Sequence, residues 1–248
     1  LLAQSYPGLQ IVAALVLPSD PMVGQDISVI LGGLPRNIQF YADLDELPQC
    51  DVIIEFTNPI GCLALAAWAC EQQVQLVSGT TGFDVNQWQQ LQHFAERISI
   101  VHGNNMSPGL NRCAQAVAEM AQRLGEVDVE IIESHHRYKV DAPSGTALFL
   151  GEAVAKAWGV SLADRAVYSR HGQTGARPSG AIGFAVIRAG DIVGEHRVLF
   201  ASDGDQLEIV HRSSNRSHYA KGAMQAAIWL SARKPGLYTM TQVLGITS

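Results

Sequence analysis

D-V-I-I-E-F-T-N-P, residues 51–59, and V-Q-L-V-S-G-T-T-G, residues 74–82, decide the fold. Each opens as an apolar run and closes on small and polar residues. Such a run suits a strand buried on both faces of a parallel sheet. Between the two, residues 61–72 (G-C-L-A-L-A-A-W-A-C-E-Q) predict a helix. A second helix is predicted over 84–97, with Asp84 as its N-cap, and another buried strand over 98–101. Strand and helix alternating at this spacing predict right-handed βαβ units, with helices on both faces of a parallel sheet. Upstream, L-Q-I-V-A-A-L-V-L (9–17) extends the pattern as a further buried strand.

Downstream the pattern changes. Pro108 opens an amphipathic helix over 108–124, stopped by Gly125. A strand is predicted over 127–133 and a helix over 146–158. From Ala181 onward, apolar-rich runs are split by Ala189-Gly190-Asp191 and Asp203-Gly204-Asp205. Those turn residues predict hairpins in an antiparallel or mixed sheet. An Ala-rich helix over 218–232 ends the pattern and is expected to pack back on the first half. The fold class is therefore α/β. A Rossmann-like, doubly wound dinucleotide-binding domain (1–105 and 217–248) is interrupted by an α+β substrate-binding and oligomerisation domain with a mixed sheet (106–216).

Composition narrows the function. Of 248 residues, 47% are hydrophobic and 16% charged, which suits packed cores rather than disorder. A net charge of −6 argues against a nucleic-acid partner, whose phosphates favour basic faces. No apolar run is long enough to span a bilayer. Cys50, Cys62, Cys70 and Cys113 show no zinc-ligand spacing and no C-x-x-C, so reduced thiols and a cytoplasmic location are expected. No metal site is expected.

In an open α/β sheet, ligands bind outside the carboxyl ends of the strands. Glu55-Phe56-Thr57-Asn58-Pro59, Gly79-Thr80-Thr81-Gly82 and His102-Gly103-Asn104-Asn105-Met106 all fall there. One such loop is ordinary turn chemistry; three on consecutive strands form a nucleotide-sized crevice. A dinucleotide domain normally opens with a strand, G-x-G-x-x-G and a helix. That unit is not in the sequence, which starts within what reads as the tail of the helix. About twenty preceding residues, carrying that strand and loop, are expected. After the strand at 9–17 stand Val16-Leu17-Pro18-Ser19, so neither NAD nor NADP specificity is readable.

E-S-H-H-R-Y-K-V-D-A-P-S-G-T-A, residues 133–147, carries the densest chemistry. His135 and His136 close a strand, and Lys139 lies in the loop that follows. Ser144-Gly145-Thr146 turns into a helix whose N-terminal N–H groups and dipole suit a carboxylate. A histidine can hold or supply a proton near neutrality. The set describes a site for a small polyanion that is protonated during reaction. A structural His-His pair beside a capped helix explains any two of these features, but not all of them within a dozen residues. The arginines of the insert, Arg170, Arg177, Arg188, Arg197, Arg212 and Arg216, read mostly as solvated strand residues or ion pairs.

The 133–147 stretch resembles the signature of the 4-hydroxy-tetrahydrodipicolinate reductase (dihydrodipicolinate reductase) family. E-F-T-N-P (55–59), G-T-T-G-F (79–83), N-N-M-S-P-G-L-N (104–111), Y-S-R-H-G-Q-T-G-A-R (168–177) and I-R-A-G-D-I-V-G-E-H (187–196) extend the likeness over nearly the whole chain. The resemblance implies reduction of a cyclic dicarboxylate by NADH or NADPH in diaminopimelate and lysine biosynthesis. It implies His135 as general acid assisted by Lys139, which also holds a carboxylate. It implies substrate contacts from His136, Ser144, Gly145 and Thr146. Gly79, Thr80, Thr81, Gly103, Asn104, Asn105 and Met106 would line the nicotinamide end of the cofactor site. It implies a homotetramer built through residues 181–212. The residues alone leave two other readings open: a related two-domain dehydrogenase of another amino-acid-like substrate, and a cofactor-deficient binding or assembly homologue.

Overall fold

The structure, a computed structural model, describes residues 2–246. Residues Leu2–Ser5 form a short 3-10 turn. The elements that follow are β1 (Ala13–Leu15), α1 (Ser28–Leu31), β2 (Gln39–Tyr41), β3 (Val52–Glu55), α2 (Pro59–Gln72), β4 (Gln75–Ser78), α3 (Val85–Phe94) and β5 (Ser99–His102). Next come α4 (Pro108–Leu124), β6 (Asp128–His135), α5 (Gly145–Trp158), α6 (Leu162–Arg165), β7 (Ala166–Val167), β8 (Ile182–Arg188), β9 (Glu195–Ser202) and β10 (Asp205–Arg212). The chain closes with α7 (Ser217–Leu230), β11 (Gly236–Thr239) and α8 (Met240–Val243). Among the described residues two compact units result: residues 2–106 with 219–245, and residues 107–218 with 246.

In the first unit a parallel sheet runs β11-β5-β4-β3. Its helices start where side chains can satisfy the open N–H groups. Asn58 accepts from Gly61 N–H at 3.0 Å, with Pro59 in the first turn of α2. Asp84 and Gln87 cap α3 reciprocally as a capping box. The small, buried face of α2 (Cys62, Ala66, Ala69, Cys70) packs against Leu91 of α3 and against Leu76 and Ile100 of the sheet. β11 and α8 are elements that the sequence pattern did not reveal. G-L-Y-T is four residues long, too short for a periodicity to emerge.

The run at 9–17 needs correction. Only Ala13–Leu15 is strand, and it pairs with β2 in a separate two-stranded parallel sheet. Its side chains are half-buried or exposed, not covered on both faces. A cavity of about 1850 Å³ lies between this sheet and β3, lined by Val12, Ile53, Phe56, Trp68, Met224 and Ile228 among others.

In the second unit a mixed sheet runs β10-β9-β6-β8-β7, with β6 central. β9 joins β6 antiparallel and β8 joins it parallel. The hairpin expected at Ala189-Gly190-Asp191 therefore does not form. That segment bonds the end of β6 instead: Ala189 N–H donates to His135 O, and Arg137 N–H to Gly190 O. The hairpin at Asp203-Gly204 does form, with Ser202 opposite Asp205 and Gly204 at φ 81°. α4 and α5 cover one face, and Val117, Ala121, Leu150 and Val154 meet Val129, Ile131, Ile182 and Phe200. α5 lies close on β8, because a side chain at Gly151 would come within 2.8 Å of the Phe184 ring. Among the described residues, no helix is long and apolar enough to cross a membrane.

Leu150 is fully buried on the helix that begins at the Ser144 turn. Leu150→Ala is expected to lower stability by about 2–5 kcal/mol, the usual cost of such a cavity. Urea unfolding of the purified variant measures it. A loss below about 1 kcal/mol would mean that this core can collapse around the gap.

Candidate functional site

In the second unit the site grows from one face of β6. Val129, Ile131 and Glu133 alternate onto the same buried side. Glu133 thus places a carboxylate in an apolar layer, with its side chain fully covered. Such burial is costly unless the charge is paired and bonded. Here both oxygens are used. Arg188 donates from Nη1 to Oε2 and from Nη2 to Oε1, each at 2.8 Å. Ser144 N–H donates to Oε1 at 3.0 Å. His135 Nδ1 lies 2.6 Å from Oε2.

These contacts set the protonation states. Burial pushes the Glu133 carboxyl up, but bonds from Arg188, His135 and Ser144 outweigh it and hold it below the usual carboxylate range. Glu133 is then ionised and can only accept, so His135 Nδ1 carries a hydrogen. Burial pushes the His135 imidazole down, with Lys139 and Arg188 adding to the effect, while Glu133 opposes it. Beside it, the His196 ring stands at 5.1 Å from the His135 ring, and its Nε2 at 3.0 Å from Ser144 Oγ. Burial first, then the charge that His135, His211 and Lys139 carry when protonated, push His196 down to about 3, with Glu133 opposing.

The other expected residues gather around this centre. Ser144 is buried and caps α5 through Ala147 N–H, so its hydroxyl is committed internally. Gly145, the first residue of α5, has open space where a side chain would stand, so a ligand can approach its backbone. Thr146 follows in the same turn. Lys139 Nζ donates to Asp141 at 2.7 Å and is mostly covered. The His136 ring lies 6.4 Å from that of Tyr138, and its Nδ1 is buried without a protein hydrogen-bond partner.

In the first unit, the carboxyl ends of β3, β4 and β5 present their loops side by side. Glu55 is buried and accepts from Thr57 N–H (2.8 Å), Thr57 Oγ1 (2.6 Å) and Thr80 Oγ1 (2.8 Å). His102 Nε2 meets Thr80 O at 2.8 Å. Thr80 and Met106 are each 1% exposed, so what they can offer a ligand is backbone. Phe56 is 52% exposed and lies so close to Gly79 that any side chain there would overlap its ring. Thr81 and Asn104 are exposed and Asn105 half-buried. Gly103 gives its N–H to Ser78 O and has Met240 beside it. The result is an uncharged ledge of ring, glycine backbone and amide groups, which fits a flat heteroaromatic carboxamide. Among the described residues, no strand passes through a G-x-G-x-x-G turn into a helix.

A family model for the dihydrodipicolinate reductase N-terminus matches residues 1–106, and one for the dihydrodipicolinate reductase C-terminus matches 109–244. The chain belongs to the dihydrodipicolinate reductase family. A 4-hydroxy-tetrahydrodipicolinate reductase of Burkholderia ambifaria is 50% identical over 96% of this chain and 90% of its own length. One from Ralstonia pickettii is 48% identical over 97% and 91%. Among solved structures, a dipicolinate-bound dihydrodipicolinate reductase from Paenisporosarcina superposes with a TM-score of 0.75 at 22% identity, covering 99% of this chain and 92% of that one. That likeness agrees with the Rossmann-like sheet and the mixed-sheet unit described above.

Sequence reasoning about this reductase-family chain missed three residues at the centre: Glu133, Arg188 and His196. Arg188 falls under the ion-pair half of the reading given to the arginines, and its partner is a buried carboxylate, Glu133. The available signal was Glu133 itself, an acid in step with Val129 and Ile131.

The depressed His196 has a measurable consequence. Unfolded, it titrates near 6.5; folded, near 3. Its contribution to stability is therefore complete above pH 6.5 and is lost as pH falls toward 3. The loss amounts to about 1.4 kcal/mol per pH unit within that window. Urea unfolding between pH 6.5 and 4.5 is expected to show this slope, reduced in His196→Gln. An equal slope in both proteins would show that His196 is not the group responsible.

Proposed function

We propose that the chain reduces 4-hydroxy-tetrahydrodipicolinate to tetrahydrodipicolinate, with His135 as the proton donor. The observation that carries the reading is the cluster of His135, Lys139 and the α5 N-terminus around Glu133. One carboxylate of the substrate binds the N–H groups of Gly145 and Thr146, where the helix dipole favours it. Lys139 exchanges Asp141 for the second carboxylate, and His136 adds a contact through its uncommitted nitrogen. Loss of water and addition of one hydride and one proton balance the change.

A nicotinamide cofactor supplies the hydride when bound. The rim of Gly79, Thr80, Thr81, Gly103, Asn104, Asn105 and Met106, with Phe56, would hold its nicotinamide end in the dinucleotide-binding unit (1–105 and 217–248). His135 Nε2 delivers the proton, since Nδ1 is held by Glu133. The uncharged Val16-Leu17-Pro18-Ser19 segment suits either NADH or NADPH, so both belong in the assay. The substrate unit (106–216) is also the proposed tetramer contact. Exposed Val186, Ile187 and Leu207 on β8 and β10 support that assignment. Four free thiols support a reducing, cytoplasmic setting.

His135→Gln and Lys139→Ala are each expected to lower kcat by about 100-fold, the weight of acid–base assistance. Oxidation of NADH or NADPH, coupled to the product of the synthase step, measures it. Full turnover by either variant would reassign the proton donor or its helper.

Binding should also draw in a proton. His135 is held below its ordinary value in the free protein, and a dianion beside it favours the imidazolium. Calorimetry with pyridine-2,6-dicarboxylate, in buffers of different ionisation enthalpy near neutral pH, should report net proton uptake. His135→Gln should abolish it. Binding with no uptake would place the dicarboxylate away from His135.

A further inference from the structure

We propose that Glu133, clamped by Arg188, is the positioning residue of this site: it sets which nitrogen of His135 carries the transferable proton and ties that ring to the start of α5. The inference rests on the reductase reading for its chemical meaning, though not for its geometry.

Three elements converge on the one carboxylate. From β6, two residues along the same strand, comes the ring of His135. From β8 comes Arg188, which stands directly opposite His135 in the strand register. From the loop before α5 comes the N–H of Ser144. Arg188 is itself fixed, donating also to Ile187 O at 2.8 Å and Asp141 O at 2.6 Å. His196, opposite Glu133 on β9, reaches the hydroxyl of Ser144. The acid and the anion-binding turn are thus referenced to the same two oxygens.

The tautomer follows from chemistry. An ionised carboxylate bonded twice by a guanidinium can only accept, so it holds the hydrogen of Nδ1 in both protonation states of His135. Neutral His135 then has its lone pair on Nε2, and protonated His135 has its mobile hydrogen there. Gly194 keeps that edge clear: a side-chain carbon at this position would sit 3.2 Å from Nε2. Arg188 has a second task. It neutralises most of the Glu133 charge, so the imidazole donates its Nδ1 hydrogen bond without a strong pull toward the imidazolium.

Two variants test this through shifts of opposite sign. The charged and titratable groups facing His135 are Glu133 from β6, Lys139 from the loop with Asp141 as its partner, Arg188 from β8, His196 from β9, and His211 on β10 behind His196. Glu133→Gln removes the anion, so the pH at which His135 protonates should fall by about one unit or more. Arg188→Gln frees the Glu133 charge, so it should rise by a similar amount. Nitrogen-15 imidazole NMR of the full chain reads both shifts, along with the tautomer. Wild type should show hydrogen on Nδ1, and Glu133→Gln a mixture. In turnover, the alkaline limb of kcat/KM should move in the same directions as the NMR titrations.

A merely structural Glu133 would lower stability without moving the two titrations apart. If Glu133→Gln does not fold, Glu133→Gln/Arg188→Gln leaves no lone buried charge and should still show the downward shift and the mixed tautomer. Unchanged titration and tautomer in a folded variant would overturn the positioning role. The NMR readout needs no substrate. Opposite shifts without reductase activity would uphold the positioning role and reject the reductase reading. Wild-type activity with unmoved titrations would do the reverse.

Discussion

A carboxylate in an apolar layer is the constraint on which the second unit depends. Glu133 follows Val129 and Ile131 onto the buried face of β6, where α4 and α5 supply no water. An uncompensated charge there would cost several kcal/mol. Its partners are therefore required, and each is held in place by meeting the requirement. Arg188 must end β8 opposite His135. Ser144 must bring its N–H to the same point, which fixes where α5 begins. The long-range order of the sheet and the local start of a helix meet in one ionised group.

The first unit uses the same device in a different chemical form. Glu55 also ends a strand and is also buried, but its bonded partners are the Thr57 N–H and the hydroxyls of Thr57 and Thr80. It thereby joins the loop after β3 to the loop after β4, and Thr80 O continues the chain to His102 at the end of β5. Three rim loops are braced without a cation at the surface. The ledge formed by Phe56 and Gly79 stays uncharged, as suits a flat, neutral ligand face. Where the proposed chemistry moves a proton, the buried acid is paired with arginine and histidine; at the ledge, the bonds to Glu55 come from hydroxyls and an N–H and all fall on Oε2.

The division explains what was legible in the sequence. Strands β3 to β5 and helices α2 to α5 could be read because their signals are local: continuous apolar runs, the cap at Asp84, Pro108 at the head of α4 and the Ser144 turn. Strand order could not. Placing β6 between β8 and β9 depends on pairing across more than fifty residues, and the Ala189-Gly190-Asp191 turn looks the same whether it closes a hairpin or caps a neighbouring strand. The run at 9–17 had the composition of a buried strand, but burial is conferred by neighbours, and only three of its residues pair. His135, Lys139 and the Ser144 turn were legible as a constellation because they lie within a dozen residues. Arg188 was not, since it lies 55 positions from Glu133 and nothing in its own neighbourhood marks it as the partner of a buried acid.

The proposed donor also raises a question of timing. A general acid needs its proton, yet His135 sits below its ordinary value in the free protein. A fixed, fully exposed Glu133 charge would keep it protonated at all times, and the site would then repel the cationic Lys139 beside it. With Arg188 absorbing most of that charge, the balance lies close enough for a ligand to tip it. A dicarboxylate at the start of α5 supplies negative charge where burial has lowered the dielectric, and there a nearby charge counts most. On the proposed reading, the substrate charges its own acid. The proton arrives with the molecule that will receive it, and the pairing of buried Glu133 with Arg188 keeps the empty site neutral until then.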